Sequence, residues 1–227
     1  MCGIFGSTDF DRFKTLYELN RSRGDFAFGG VYDGEDPIIP NSFTLVKQEG
    51  VVDLNNTNRG QATYYIGHTQ APTSSVRKFD RSTTHPFKCD DWLVAHNGIL
   101  SNTDYVRKKY MLESKTNDVD TSVIPALVSH AKVSTGDISS DEINSIVFAL
   151  EELKGTFTCW FYNIKTRNTY LARCGSTLHG DGDTGDFSSI LDTHNNLQPL
   201  DEGIIYKVSK KLTRVGTFQY DSPYFIL

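Results

Sequence analysis

The chain has 227 residues, and its 38% of hydrophobic residues supply a packed core for one large domain or two small ones. With 23 Lys and Arg against 28 Asp and Glu the net charge is −5, and without a basic run we expect no nucleic acid and no membrane as partner. The sequence also lacks a secretory signal and any run approaching about 18 apolar residues, so we expect a cytoplasmic protein.

The four cysteines indicate neither a metal site nor a disulfide framework. They lack the Cys-x-x-Cys spacing of zinc sites, and a reducing cytoplasm does not sustain disulfides. We expect Cys89, Cys159 and Cys174 to be small buried hydrophobic residues, and no spacing in the chain implies a metal or an organic cofactor. Cys2 differs because removal of Met1 would make it the N-terminal residue.

The first half of the chain is predicted to consist mainly of strands. An apolar run at 2–6 predicts the first strand, and apolar residues at helical spacing from Phe10 to Tyr17 predict a helix that ends before Gly24. Segments rich in β-branched and aromatic residues predict further strands at Phe26–Tyr32, Ser42–Lys47, Tyr64–Thr69 and Trp92–His96.

Helices are predicted in the middle of the chain, and strands return after them. The pattern at Ser139–Glu142 is that of a capping box, which starts a helix. The predicted helices are Asn102–Leu112, Thr121–His130 and Ile143–Leu153. The later predicted strands are Thr156–Ile164, Thr169–Arg173 and Gly203–Ser209.

Strands, then adjacent helices, then strands do not alternate as the units of a parallel doubly wound sheet would. The order therefore favours an α+β fold with segregated layers. No internal repeat, low-complexity tract or Pro/Gly/Ser-rich linker divides the sequence, so we expect a single domain over residues 1–227.

Cys2 is the residue whose position first suggests chemistry. Removal of Met1 would place its thiol beside a free α-amino group, whose ordinary pKa of about 7.7–8.0 suits a base near neutral pH. One residue would then supply both nucleophile and base, an arrangement that activates acyl transfer. Position alone also fits a small buried residue after Met1, so the surrounding motifs decide between the two.

A series of short motifs follows Cys2: Met1-Cys2-Gly3-Ile4-Phe5-Gly6, Arg23-Gly24-Asp25, Gly67-His68-Thr69, His96-Asn97-Gly98-Ile99, Asp118-Val119-Asp120-Thr121, Leu153-Lys154-Gly155-Thr156-Phe157, Arg173-Cys174-Gly175-Ser176 and Asp201-Glu202-Gly203. In sequence and in order the series resembles the class II glutamine amidotransferase domain, an N-terminal-nucleophile (Ntn) hydrolase. The resemblance covers the chain from Cys2 to about Val208. An ordered set of motifs is far more specific than any one of them.

The resemblance implies an αββα sandwich of the Ntn-hydrolase type, with two antiparallel sheets between helical layers. It also implies that the Cys2 thiol attacks the side-chain amide of L-glutamine, that ammonia leaves, and that water hydrolyses the γ-glutamyl thioester. The Asn97 side chain and the Gly98 N–H would bind the developing oxyanion, a role in which one donor is worth on the order of 100–1000-fold in rate.

The same resemblance implies the rest of the glutamine pocket. Asp120 would bind the α-ammonium of glutamine, while Arg23 and Gly24 would support the nucleophile. On local sequence alone Asp120 also fits an N-cap of the following helix, and Arg23 a solvated surface position. The other residues near the substrate would be Gln70, Thr73 and His96.

Gln70 departs from the family pattern, which has an arginine there that binds the α-carboxylate of glutamine. A neutral amide gives up a charge-assisted hydrogen bond of about 1.5–3 kcal/mol. We expect a basic residue of the following loop to restore the charge, and Arg77, Lys78 and Arg81 are the choices. Two alternatives stay open: the substrate lacks a free α-carboxylate, or the site binds glutamine weakly.

Members of this family carry a second domain that consumes the ammonia, and the resemblance ends near Val208. We therefore expect a stand-alone glutaminase domain that docks on a separate ammonia-accepting synthase or synthetase. The apolar tail Phe218–Leu227 fits such a contact, and equally a place on the chain's own sheet. Two other functions stay open: an N-terminal-cysteine amidohydrolase for another γ-glutamyl compound or carboxamide, and a non-catalytic glutamine sensor or scaffold.

Overall fold

The computed structural model describes residues 2–34, 42–56, 62–71, 79–131, 133–193 and 196–221. The chain divides into two compact units, each assembled from segments that are far apart in sequence. The first comprises Met1–Pro86, Thr177–Leu200 and Val208–Leu212. The second comprises Phe87–Ser176, Asp201–Lys207 and Thr213–Leu227.

The strands of the described residues, in chain order, are β1 Gly3–Ser7, β2 Ala27–Gly34, β3 Phe43–Glu49, β4 Ala62–Gln70, β5 Phe87–Cys89, β6 Trp92–Leu100, β7 Gly155–Asn163, β8 Thr169–Cys174, β9 His179–Gly180, β10 Phe187–Ser188, β11 Gln198–Pro199, β12 Ile204–Val208 and β13 Leu212–Thr217. The α-helices are α1 Phe10–Arg21, α2 Thr103–Lys109, α3 Val123–His130 and α4 Ile138–Glu151. Single turns of 3-10 helix cover Glu113–Lys115 and Asp120–Ser122.

In the first unit, the described residues form an antiparallel sheet in the order β11-β9-β10-β1-β4-β2-β3, on which α1 packs. Asp9 starts α1 because its carboxylate accepts a hydrogen bond from the Arg12 N–H at 2.7 Å. The helix presents an apolar face to the sheet, and the buried cluster between them includes Phe5, Phe13, Leu16, Tyr17 and Phe28. β1 thus lies between β10 and β4 in the interior of the sheet, and Cys2 stands at its entry.

In the second unit, the described residues form a sheet in the order β13-β12-β8-β7-β6-β5. The antiparallel pair β6 and β7 is its longest, running from Trp92 opposite Asn163 to Leu100 opposite Gly155. α3 packs on β5, β6 and α4, and these elements enclose an apolar core that includes Val94, Leu127, Ile146, Leu150 and Phe161. The far end of β6 carries the His-Asn-Gly motif.

The predicted order of strands, helices and strands is confirmed, and the fold is α+β with two antiparallel sheets. The predicted capping box is wrong because Asp137 caps α4 earlier, accepting a hydrogen bond from the Ser140 N–H at 2.9 Å. α2 also ends sooner than predicted, because the chain turns at Met111, where φ is 52°. β5, β9, β10 and β11 were not predicted, since they have only two or three residues each, and β13 was not predicted, since none of its residues is buried. Among the described residues no helix is long and apolar enough to cross a membrane.

Candidate active site

Cys2 stands at the entry to β1, a strand that is held on both sides. On one side β1 pairs with β4. On the other, the Ile4 N–H donates to Ser189 Oγ at 3.0 Å, and the Ile4 carbonyl oxygen accepts from the Ser189 N–H at 2.8 Å. Cys2 is partly exposed, with Sγ 3.9 Å from the Ala71 carbonyl oxygen. The residue therefore meets solvent, while the strand that follows it is fixed.

Arg23 and Gly24 both lie beside Cys2. Arg23 Nη1 is 3.5 Å from the Cys2 carbonyl oxygen, and Nη2 donates to Thr177 Oγ1 at 2.6 Å. Burial lowers the pKa of the Arg23 guanidinium, and the charge of a Cys2 thiolate opposes that shift. A Cβ on Gly24 would lie 2.6 Å from the Ala71 backbone nitrogen, so only glycine fits. Arg23 thus places a positive charge near Cys2, and Gly24 lets the Ala71 backbone come close.

The other three cysteines differ from Cys2 in burial. Cys89, Cys159 and Cys174 are free thiols and each is less than a tenth exposed, which confirms the prediction of buried residues. Burial raises the pKa of all three, that of Cys174 to about 11. They are therefore thiols at neutral pH, whereas the thiolate is the nucleophilic form.

Gln70 uses its side-chain amide to hold the segment that follows. The residue is fully buried, Nε2 donates to the Thr83 carbonyl oxygen at 3.2 Å, and Oε1 accepts from the His85 N–H at 3.3 Å. The His85 ring in turn stacks on His68, with 3.9 Å between the ring centroids. At the position where the resemblance implies a carboxylate-binding arginine, this chain therefore has an anchor for residues 83–85.

A basic residue that would replace that arginine is expected among Arg77, Lys78 and Arg81. The first two, like Thr73, lie outside the described residues. The Arg81 carbonyl oxygen accepts a hydrogen bond from Lys47 Nζ at 3.0 Å. Burial and the Arg81 charge lower the pKa of Lys47 to about 8. Lys47 belongs to no motif, and this second cation beside Arg81 was not predicted.

Asn97 and Gly98 lie near the end of β6, opposite Thr158 and Phe157 of β7. Asn97 is 4% exposed. A Cβ on Gly98 would lie 2.0 Å from the Thr156 carbonyl oxygen, a backbone atom that cannot move aside without disturbing the strand pair. Glycine is therefore required at position 98 by the close approach of β7.

His96 supports this strand end from within the second unit. Its buried ring has Nδ1 3.1 Å from Thr121 Oγ1 and Nε2 3.4 Å from the Thr156 carbonyl oxygen. Burial lowers the pKa of His96, and the Asp120 carboxylate, 3.9 Å away, partly offsets that shift. The ring is therefore neutral at neutral pH, and its contacts fit an Nε2–H that donates to the carbonyl and an Nδ1 that accepts from the hydroxyl.

Asp120 presents a carboxylate that is one-third exposed, at 33%. Its Oδ1 accepts from the Thr121 N–H at 2.8 Å, and its Oδ2 accepts from the Leu100 N–H at 3.4 Å. Asp120 does not cap α3, which begins at Val123 after the 3-10 turn. Because a carboxylate has about four acceptor positions, this one keeps the capacity to bind a further charged donor such as an ammonium group.

The predicted site residues thus form two groups, one in each unit. The first group offers a thiol beside a cation: Cys2, Arg23 and Gly24. The second offers a glycine backbone and an exposed carboxylate: His96, Asn97, Gly98 and Asp120. Three supporting residues belong to no predicted motif and become visible only through contacts between distant segments; they are Lys47, Thr177 and Ser189.

The chain is similar in sequence to parts of larger proteins, although no protein-family model matches it. It is 29% identical over 168 residues to the glutamine–fructose-6-phosphate aminotransferase of Idiomarina loihiensis, and 27% identical over 165 residues to that of Chlamydia caviae. These matches cover 69% and 70% of this chain, which spans only 26% of each relative. A match of 34% identity over 85 residues covers 37% of the chain and 17% of the 7-cyano-7-deazaguanine synthase of Saccharolobus solfataricus.

Solved structures share the fold of this chain. The superposition on the glutamine phosphoribosylpyrophosphate amidotransferase of B. subtilis covers 94% of this chain and 49% of the amidotransferase chain, at a TM-score of 0.71 and 16% identity. The superposition on a glutamine aminotransferase class-II domain protein of Silicibacter pomeroyi covers 96% of this chain and 99% of the other chain, at a TM-score of 0.58 and 12% identity. At these identities the likeness establishes the fold.

Proposed function

We propose that this chain, a class II glutamine amidotransferase domain by sequence similarity and by fold, hydrolyses the side-chain amide of L-glutamine to glutamate and ammonia. The observation that carries the proposal is the partly exposed residue Cys2 at the entry to an interior strand, beside the Arg23 guanidinium. A cation favours the thiolate, which is the attacking form. The other three cysteines are buried, and burial raises the pKa of each thiol.

In the proposed reaction, Cys2 Sγ forms a bond to the amide carbon of glutamine. The thiol proton passes to the α-amine of Cys2, which Met1 removal exposes, and from there to the departing nitrogen, so that ammonia leaves. Water then attacks the γ-glutamyl thioester, glutamate departs, and the thiol is restored. No oxidant or reductant is consumed in either half of this sequence.

The second group of residues is assigned to the substrate. The Gly98 N–H and the Asn97 side chain would bind the oxyanion, and the required glycine fits a backbone that must come close to a tetrahedral centre. The exposed part of the Asp120 carboxylate would bind the α-ammonium of glutamine. His96, held neutral, would keep this strand end in place without adding a charge.

The α-carboxylate of glutamine still needs a cation, because the Gln70 amide is engaged with residues 83–85. We assign this role to the segment that Gln70 anchors, where Arg81 lies beside the Lys47 ammonium group. A positive group near the carboxylate recovers part of the Coulomb attraction that the family's arginine would supply. Replacing Arg81 or Lys47 by Gln tests this assignment through the Michaelis constant for glutamine, and an unchanged constant in both variants would contradict it.

The ammonia is proposed to serve an acceptor on a separate synthase or synthetase polypeptide. This inference draws on two relatives, one named as a glutamine–fructose-6-phosphate aminotransferase and the other as a 7-cyano-7-deazaguanine synthase. The chain spans about a quarter of the first of these and less of the second. A reducing cytoplasm suits a nucleophile that must remain a thiol, and we place the reaction there.

The engaged amide of Gln70 also favours a second candidate function. A substrate without a free α-carboxylate would need no arginine at position 70, so a different γ-glutamyl compound or carboxamide would enter the same Cys2 chemistry. Comparing glutamine with γ-glutamyl amides whose α-carboxylate is blocked separates the two functions. Preference for the blocked amides supports the second, and preference for free glutamine supports the first.

The deciding experiment measures glutamate release from glutamine by the purified chain, with its intact mass determined on the same sample to establish that Met1 is absent. Wild type is compared with Cys2→Ala and with Cys89→Ala, in which a buried thiol is lost instead. We expect release by wild type and by Cys89→Ala and none by Cys2→Ala. Glutamate release that survives in Cys2→Ala would contradict the proposal. So would a wild type that lacks Met1 and hydrolyses neither glutamine nor any other amide.

A further inference from the structure

We propose that Arg107, a residue of α2 that belongs to none of the motifs, is a positioning residue for Asp120; this inference rests on the function proposed above. The Arg107 side chain is 15% exposed and its guanidinium points at the turn before Asp120. Nη2 donates to the Asn117 carbonyl oxygen at 2.7 Å and lies 3.4 Å from the Val119 carbonyl oxygen. The Arg107 guanidinium thereby binds the backbone of residues 117–119, which directly precede Asp120.

The same turn is closed from its other end by Ser122. Ser122 Oγ accepts from the Asn117 N–H at 3.1 Å and lies 2.7 Å from the Val119 carbonyl oxygen, to which it donates. Within the turn, Asn117 Oδ1 accepts from the Val119 N–H at 2.9 Å. Asp120 is therefore presented by a closed ring of hydrogen bonds, and Arg107 is the member of that ring that comes from another element.

This geometry makes the position of the Asp120 carboxylate depend on Arg107. The carboxylate is fixed by bonds from Thr121 and Leu100, so displacing the turn moves the carboxylate or breaks those bonds. In the proposed reaction Asp120 binds the α-ammonium of glutamine, and moving the carboxylate away weakens that charge-assisted hydrogen bond, which contributes to substrate binding. Loss of Arg107 should therefore weaken glutamine binding and leave the Cys2 chemistry largely intact.

The planar fork of arginine suits this place better than lysine would. Arg107 also binds Asp104 through Nη1 at 2.9 Å, so its guanidinium serves one carboxylate and the carbonyls of the turn together. A lysine ammonium is a point donor on a flexible stem and cannot reproduce that planar arrangement. Arg107→Lys should thus restore only part of the effect.

The test compares Arg107→Met and Arg107→Lys with Lys108→Met, a matched loss of charge at the next, exposed position of α2. We expect Arg107→Met to raise the Michaelis constant for glutamine on the order of 10-fold, the loss of one charge-assisted hydrogen bond, with kcat within about threefold. The Michaelis constant of Arg107→Lys should lie between those of wild type and Arg107→Met, and that of Lys108→Met should equal the wild-type value. An Arg107→Met enzyme with an unchanged Michaelis constant, or with a loss confined to kcat, would overturn the inference.

A double variant asks whether Arg107 acts through Asp120. If it does, Arg107→Met combined with Asp120→Asn should have the same kcat/KM as Asp120→Asn alone, because the carboxylate that Arg107 positions is already gone. Multiplied losses in the double variant would show that Arg107 acts elsewhere and would overturn the inference.

Hydrogen exchange of residues 117–122 tests the turn without any enzyme activity. Exchange should be faster in Arg107→Met than in wild type or Lys108→Met, and equal exchange in all three would count against a positioning role. An inactive wild type would instead contradict the proposed function itself, so the two failures are distinguishable.

Discussion

Around Cys2, in the first unit, arginine side chains reach the Cys2 carbonyl oxygen and the segment that carries Ser189. Around Gly98, in the second unit, β7 approaches the backbone closely and the supporting histidine is neutral. Arg23 reaches the Cys2 carbonyl oxygen, and Ser189, which binds the strand after Cys2, lies in a segment that Arg12 ties down. At Gly98 the neighbouring strand leaves no room for a side chain, and the supporting His96 is neutral. The first region should therefore be sensitive to lost charge, and the second to added volume and to added protons.

The largest effect on stability is expected from removing Arg12. Arg12 Nε lies 3.1 Å from Asp186 Oδ2 and Nη1 lies 2.5 Å from Asp192 Oδ2, and none of the three side chains is more than 13% exposed. Arg12→Met leaves two buried carboxylates without their cation, so we expect a loss of about 3–5 kcal/mol in the free energy of unfolding. Urea denaturation at pH 7 measures it.

Lys14→Met is the matched control for that variant. Lys14 pairs with Asp11 on an exposed face of the same helix, and a pair of this kind is worth about 0.5 kcal/mol or less. A loss in Arg12→Met no larger than that of Lys14→Met would mean that buried charge does not hold the first unit, and the contrast between the two regions would fail.

Added volume should do the most damage at Gly98. Gly98→Ala forces β6 away from the Thr156 carbonyl oxygen and carries the proposed oxyanion donor with it, so we expect glutamate release to fall on the order of 100–1000-fold. The assay is initial-rate glutamate release at saturating glutamine. Gly182→Ala is the control and should keep wild-type activity, because among the described residues other than its two chain neighbours no heavy atom lies within 4 Å of its Cβ position.

These predictions also separate what the sequence could reveal from what it could not. Cys2 and the Asn97-Gly98 pair sit in short motifs, and their assignment comes from the resemblance of the ordered set of motifs to the class II glutamine amidotransferase domain. Ser189 pairs with Ile4 across 185 residues, and no local pattern encodes that contact. Gln70 was identified as a departure from the family, but its role as an anchor depends on where the following segment folds back.

Among the secondary-structure elements, too, some follow from local sequence and others depend on distant contacts. Strands with strong apolar or aromatic content were placed within a few residues, because burial of their side chains decides their conformation. The start of α4 was misplaced because two capping signals compete there, and the sequence does not show that Asp137 prevails over the Ser139 pattern. The short β5 forms only because β6 provides a partner.

A smaller effect is expected from the charge beside the nucleophile. Arg23→Met removes a cation next to Cys2 and should slow alkylation of Cys2 by iodoacetamide at pH 7 on the order of 10-fold, because less of the thiol is thiolate. Arg23→Lys should recover most of the rate. Arg21→Met, which removes a cation paired with Glu18 at the end of α1, should leave the rate unchanged. Equal rates in Arg23→Met and Arg21→Met would show that the guanidinium does not act on the thiol.

The smallest effect concerns protons at His96. Burial lowers the pKa of this ring in the folded chain, whereas an unfolded histidine titrates near about 6.5. As the pH falls through that value, the unfolded chain binds a proton that the folded chain does not, so His96 makes the free energy of unfolding fall with falling pH. The His96→Gln variant has no histidine here to take up this proton. The difference in the free energy of unfolding, variant minus wild type, should therefore be more positive at pH 5.5 than at pH 7.5.

Asp120→Asn sharpens the same test. The Asp120 carboxylate raises the pKa of His96 and offsets part of the burial effect, so removing its charge should make the stability of the chain fall more steeply between pH 7 and pH 5. Combining Asp120→Asn with His96→Gln should cancel that extra steepness, because no titrating ring remains to feel the missing carboxylate. Extra steepness that persists in the double variant would mean that Asp120 acts on another group, and that the neutral ring is not what makes the Gly98 region sensitive to acid.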